Sequence, residues 1–323
     1  MAKAKEFAHL FKPLLVQAPP DGLYREPRAW MGAKELEGFN AHFSYGFLKE
    51  KGTFHPVEGL IVHPFDEVLL FAGIDNEKNF AYLGAKMSIE LGEEREEHVF
   101  DKPTVVTIPR GTVHGAVKIL ELEQPVVHYS IGLAPEYSAS RDVGTVASAP
   151  SKGSKYAHHV RSLERYAQTA PLSARMKDPD YTKKAKELNP HIDLDQVGQM
   201  GPGNADSIAW LFKEEAANFE VNFSWGYYTQ SGKWHRGGEI HTHPEAEILC
   251  YLGLDPDNLD YLGAELELGM GEDAERHVFD KPTVAICPEG FPHLPLITRW
   301  VDKPYGFAVI CLSGEHDSPY AEA

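Results

Sequence analysis

Gly238-Glu239-Ile240-His241-Thr242-His243-Pro244-Glu245-Ala246-Glu247, followed by Gly253 and then by Pro288-Glu289-Gly290-Phe291-Pro292-His293, decides the fold of this 323-residue chain. On a strand, residues two apart face the same way, so His241 and His243 offer imidazole nitrogens to one point. Pro244 donates no backbone hydrogen bond and disfavours a central-strand continuation, so the chain turns there and brings Glu247 back on the next strand. Without that turn, extended chain would carry Glu247 roughly 13 Å past His243. Gly290 permits a tight turn before His293. The expected result is one constellation of three imidazoles and a carboxylate.

Such a set suits a single first-row divalent metal, with Fe, Mn, Ni, Cu and Zn all compatible, because imidazole and carboxylate are intermediate to hard donors and no thiolate stands among them. Four protein donors on an octahedral ion leave two positions open for water, dioxygen or a bidentate oxygen substrate. The competing reading is a group of polar residues at a barrel mouth that holds no metal.

The chain is written twice. Residues 98–104 read His-Val-Phe-Asp-Lys-Pro-Thr, and residues 277–283 repeat the same seven letters. At an offset of 179 or 180 the match extends to Trp30 and Trp210, His55 and His235, His63-Pro64 and His243-Pro244, Glu67 and Glu247, Pro109 and Pro288, and His114 and His293. Self-similarity on this scale implies two homologous domains. Within each copy the pattern is that of strands: Phe39, Ala41, Phe43, Tyr45 and Phe47 alternate with small or polar residues, as do Phe219, Val221, Phe223, Trp225 and Tyr227. Apolar runs such as Val68-Leu69-Leu70-Phe71, Val105-Val106-Thr107-Ile108 and Phe307 to Leu312 are bounded by Gly, Pro, Asn and Asp, which points to antiparallel sandwiches or barrels.

The spacing His-x-His-x3-Glu-x5-Gly, followed by Pro-x-Gly-x2-His, resembles the two motifs of the cupin superfamily, and the duplication makes the chain similar to a bicupin. The resemblance covers about 39–135 and 219–320. It implies an all-β protein of two tandem antiparallel jelly-roll barrels with a partly helical connecting segment: an N-terminal cupin domain with an extension at 1–137, a linker and helical segment at 138–205, and a C-terminal cupin domain at 206–323. It also implies a metal held by His241, His243, Glu247 and His293, and association of copies into a homo-oligomer. The reaction stays open, because a fold does not determine a function.

The first copy departs from the pattern. Ile61 stands where the first histidine belongs, while His63, Glu67 and His114 remain. These three form either a second, weaker metal site or a decayed copy kept for packing; the missing donor favours the latter and places the working site in the second domain. His55 and His235 occupy equivalent positions six residues before 61 and 241, where a loop could point them at the pocket as acid–base groups or supports for the ligands; surface positions are the favoured expectation. His235 and Glu239 are nevertheless the local candidates for a catalytic acid or base. His98 and His277 read as structural, since Asp-Lys-Pro after them makes a turn. Trp225, Tyr227 and Trp234 read as core or as the wall of a pocket. Cys250, three residues beyond Glu247, falls on the opposite strand face and is not a ligand.

Between the repeats, 138–155 reads as an exposed linker, 156–188 as one or two helices, and 198–204 as loop. The acidic runs at Glu93–Glu97 and Glu272–Arg276 read as solvated turns.

Composition narrows the function. Thirty-one Lys and Arg against 48 Asp and Glu give a net charge of −17, which argues against nucleic acid and anionic membranes as partners. Three cysteines, all in the second half, do not make a disulfide framework, and no export signal or membrane span is legible; a cytoplasmic location is expected. No phosphate loop, dinucleotide fingerprint, nucleophile elbow or Cys-x-x-Cys occurs. The leading expectation is a metal-dependent enzyme acting on a small oxygenated organic substrate, with dioxygenase-type chemistry favoured and an isomerase or lyase behind it. A noncatalytic metal-containing binding or sensor protein and a storage-like scaffold are the alternatives.

Overall fold

The computed structural model describes residues 5–20, 22–168, 179–191, 202–234 and 240–319. The chain divides into two units, Leu14–Arg165 and Met1–Pro13 with Tyr166–Ala323, referred to below as the N-terminal and C-terminal units. The alternating stretches near residues 43 and 223 become the strands His42–Leu48 and Asn222–Tyr228.

In the N-terminal unit a seven-stranded antiparallel sheet runs in the order Val160–Ser162, Thr104–Ile108, Glu67–Gly73, Val126–Gly132, His42–Leu48, Arg28–Met31, Val16–Gln17. A second sheet runs Gly52–Phe54, His114–Leu122, Ala85–Leu91, Glu96–Phe100, with Leu60–Ile61 also paired to His114–Leu122. The C-terminal unit repeats this plan, with an isolated bridge between His241 and His293 in place of the Leu60–Ile61 strand. Its large sheet runs Phe11–Pro13, Thr283–Cys287, Glu247–Gly253, Tyr305–Cys311, Asn222–Tyr228, Ser207–Leu211, Ala167–Gln168, and its small sheet Gly232–Lys233, His293–Val301, Ala264–Met270, Glu275–Phe279. Both are the tandem two-sheet units expected of two cupin domains.

Each core lies between its two sheets. In the N-terminal unit Leu69, Phe71, Val106 and Val126 from the large sheet meet Met87, Ile89, Val117 and Ile119 from the small one, all 3% exposed or less. Trp225 and Tyr227 are fully buried and Trp234 nearly so.

The connecting segment departs from its expected form. Residues 156–168 are not helical beyond two single turns; they supply the short strands Val160–Ser162 and Ala167–Gln168, because the large sheets leave edges that only another strand can satisfy. The one α-helix among the described residues is Pro179–Leu188. None of the described helices is long and apolar enough to cross a membrane.

This segment exposes a second layer of the repeat. Lys155-Tyr156-Ala157-His158 resembles Lys5-Glu6-Phe7-Ala8-His9, and the two stretches dock alike. Phe11–Pro13 pairs with Thr283–Cys287, as Val160–Ser162 pairs with Thr104–Ile108. Ahead of these strands, the Glu275 carboxylate accepts the backbone N–H groups of Glu6 and Phe7 at 3.0 and 3.1 Å, and the Glu96 carboxylate those of Lys155 and Tyr156 at 3.1 and 3.2 Å. The rings of Phe7 and Tyr156 cover Gly271 and Gly92, where φ is +77° and +76° and any side chain would collide with them. Glu96, expected in a solvated run, is therefore buried. His98 and His277 lie 2.9 and 2.8 Å from Glu96 and Glu275, and Phe11 stacks on His277 at 4.3 Å. Phe11→Ala is expected to cost the C-terminal unit about 1–2 kcal/mol, read as a lower midpoint in denaturant unfolding followed by its tryptophans.

Candidate metal centres

Strand register places the carboxylates first. Glu67 opens the strand Glu67–Gly73 opposite Ile108 and Gly132, and Glu247 opens Glu247–Gly253 opposite Cys287 and Cys311. The small sheet then brings a histidine to each: His114 and His293 begin their strands, and both are buried. The turns at Pro64 and Pro244 return His63 and His243, whose Nε2 atoms lie 3.4 and 3.3 Å from Glu67 and Glu247.

In the C-terminal unit the donors of His241, His243, Glu247 and His293 lie within 4.8 Å of one another, and all four residues are buried. His293 Nε2 is 2.9 Å from Glu247 Oε1, and the Nε2 atoms of His241 and His243 are 3.0 Å apart. Nδ1 of His243 donates to the Asp317 carbonyl at 2.7 Å and Nδ1 of His293 to the Phe291 carbonyl at 3.1 Å, which turns both Nε2 lone pairs toward the centre. Glu247 Oε2 is buried without a hydrogen-bond partner.

The N-terminal unit holds an equally full set. His55, expected at the surface, is fully buried and joins His63, Glu67 and His114, again with donor atoms within 4.8 Å of one another. The three Nε2 atoms stand 3.3, 3.4 and 3.5 Å from one oxygen, Glu67 Oε2. Ile61 does keep the backbone place of the absent histidine: it pairs with His114 as His241 pairs with His293. The fourth donor comes instead from six residues upstream, where His55 adopts a positive φ of 51°.

A chain of hydrogen bonds sets the form of His55. His128 Nδ1 donates to the Leu70 carbonyl at 2.9 Å, leaving Nε2 to accept from the Tyr24 hydroxyl at 2.8 Å; the Tyr24 oxygen accepts from His55 Nδ1 at 2.7 Å. With its proton on Nδ1, His55 directs a Nε2 lone pair at the centre. Nδ1 of His63 and of His114 donates to the Ser138 and Thr112 carbonyls at 3.0 Å each, and the Nε2 atoms of both are buried without a hydrogen-bond partner. Three imidazole Nε2 atoms aimed at one carboxylate oxygen in the N-terminal unit, and two imidazole Nε2 atoms 3.0 Å apart beside a carboxylate in the C-terminal unit, are arrangements that a divalent metal would satisfy.

Electrostatics agree. Burial by itself would raise the Glu67 and Glu247 carboxyls, but the facing imidazoles, His55 and His63 in one case and His243 and His293 in the other, outweigh it and hold both well below the usual range. Burial lowers His63 and His243, yet Glu67 and Glu247 more than reverse this and raise both. Protonated imidazole cannot bind metal, so uptake displaces protons and affinity falls as pH falls. Calorimetric titration of Mn(II) into metal-free protein, in buffers of different ionisation enthalpy, is expected to show net proton release on metal uptake.

Several residues were not legible as part of these sites. Tyr137 packs on His63 at 5.2 Å and on Trp30 at 5.5 Å; its counterpart His316 packs on His243 at 4.3 Å and on Trp210 at 4.8 Å. Cys311 and His316 also lie within 4.8 Å of the Glu247 carboxylate. A Tyr-to-His mismatch at offset 179 hides this pair, and only the sheet register reveals Cys311. His235 and Glu239, the candidate acid and base, lie outside the described residues.

No protein-family model matches the chain, and no curated protein sequence matches it. Solved structures do. Oxalate decarboxylase from Bacillus subtilis at pH 4.6 is similar with a TM-score of 0.53 and 10% identity, over 96% of this chain and 78% of that one. A tryptophan-to-phenylalanine variant of the B. subtilis enzyme gives 0.54 at 10% identity and the same coverage. A structure of that enzyme concerned with the EPR parameters of its Mn(II) centres gives 0.51 at 11% identity, over 96% and 77%. At such identity the likeness is one of fold.

Proposed function

The chain is a bicupin by fold, and we propose that it is a metal-dependent enzyme acting on a small oxygenated organic substrate at the buried centre of its C-terminal unit. The observation that carries the metal-dependent reading is the convergence of three imidazoles and a carboxylate in a buried site, which a storage scaffold does not need; both units have such a set, and the C-terminal one is chosen because its four donors fill the whole sequence motif. A divalent metal held there supplies Lewis acidity and open positions at which a substrate chelates.

The chain's own residues do the rest. His241, His243, Glu247 and His293 hold the ion, and the Asp317 and Phe291 carbonyls fix the imidazole orientations. Trp210 and His316 pack beside His243 and keep bulk water away from it. Dioxygen-dependent oxidation is the reaction we favour for a redox-active metal. Decarboxylation of a small organic acid is the second reading, supported by the likeness to oxalate decarboxylases.

Elemental analysis of protein purified under anaerobic and aerobic conditions comes first. Iron or copper, with oxygen uptake on addition of catechols, diketones or thiols, supports the first reading. Manganese with carbon dioxide release from small dicarboxylic acids supports the second. Protein that holds no metal after reconstitution overturns both.

A further inference from the structure

We propose that the N-terminal unit binds a small anion, a carboxylate or a phosphate, in a cavity lined by the buried residues Arg28 and Tyr24. The proposal does not depend on which reaction takes place at the metal. Arg28 lies on the strand Arg28–Met31, is 3% exposed, and keeps its charge at any physiological pH. Its Nη2 donates to the His128 carbonyl at 2.6 Å, its guanidinium lies 4.1 Å from the centre of the Tyr24 ring, and its Nε is buried with no hydrogen-bond partner. Among the described residues no carboxylate pairs with it. A buried guanidinium held only by a carbonyl and a ring lacks the counter-charge that normally offsets its desolvation.

The cavity beside it supplies room for that counter-charge. It measures about 230 Å³, and Arg28, Tyr24 and Phe54 line it. Arg25, Lys49 and Lys51 line it as well, against Glu26 and Glu50, so its walls are net positive in a protein of net charge −17. A volume of this size takes a ligand of a few heavy atoms, and guanidinium with flanking ammonium groups is the standard means of recognising carboxylate or phosphate oxygens. Among the described residues of the C-terminal unit, Ile208 and Phe307 stand at the register positions of Arg28 and His128. The polar lining is thus particular to one unit rather than a demand of the fold. Its place is also specific, since Tyr24, which lines the cavity, accepts the hydrogen bond from His55.

The test is calorimetric titration of inorganic phosphate and of acetate into the full metal-loaded chain and its variants. The wild-type chain is expected to bind at least one of them; phosphate alone marks a phosphorylated ligand, acetate alone a carboxylate. Arg28→Met is expected to weaken binding at least about tenfold, the worth of a charged hydrogen bond. Lys51→Ala, at an exposed rim position that leaves folding intact, is expected to weaken it several-fold, and decides the matter if Arg28→Met does not fold. His63→Ala, which disables the nearby metal site, is expected to leave binding unchanged. Absence of binding to the wild type overturns the proposal. So does undiminished binding to Arg28→Met, or to Lys51→Ala where Arg28→Met is unfolded, or loss of binding in His63→Ala, which would place the anion on the metal.

Discussion

Replacing His55 with alanine is expected to lower the metal content from two equivalents per chain, one for each four-donor cluster, towards one. The loss follows from geometry: without His55 the N-terminal centre keeps only His63, Glu67 and His114, and the buried Ile61 supplies no donor. Elemental analysis after dialysis against a chelator reads the result. If the variant still holds two equivalents, the three remaining residues suffice and His55 is not a ligand. Tyr24→Phe keeps the ring and removes only the hydroxyl that accepts from His55 Nδ1, and is expected to weaken the same site about 10–100-fold. The double variant His55→Ala/Ile61→His is expected to recover the metal, because Ile61 pairs with His114 as His241 pairs with His293.

His243→Ala is expected to remove the metal of the C-terminal unit and to lower turnover by at least about a hundredfold, more than loss of a supporting hydrogen bond to a ligand. Under the proposed function His55→Ala retains most of the activity, since the reaction belongs to the other unit. Activity and metal content measured on the same two preparations separate the possibilities. Activity lost in His55→Ala and kept in His243→Ala would transfer the chemistry to the N-terminal centre. That outcome has a physical rationale, because the N-terminal interior carries the polar series Arg28, Tyr24 and His128 where the C-terminal interior has Ile208 and Phe307 at two of the matching positions.

Much of the C-terminal site was legible because its ligands are local. His241, His243 and Glu247 lie within seven residues, and strand periodicity with one proline turn suffices to aim them together. His293 was legible through the glycine turn that precedes it. His55 was not, because its ring enters the centre from a loop, and no periodicity governs a loop. Arg28, Tyr24 and His128 come from three separated stretches of chain, and only sheet pairing brings them side by side.

The same division runs through the fold. By itself the sequence determined the duplication into two homologous units, the antiparallel strands and the donor set at 241–293, since each is written in spacing, alternation or repetition along the chain. Tertiary structure alone decided that Phe11–Pro13 and Val160–Ser162 complete the large sheets, that Glu96 is buried by the backbone it caps, and that the first copy has four donors. The physical reason is shared. An open sheet edge and a half-filled ligand set are both satisfied by whatever group the packed chain brings within hydrogen-bond or ligand distance, and that group can lie anywhere in the sequence.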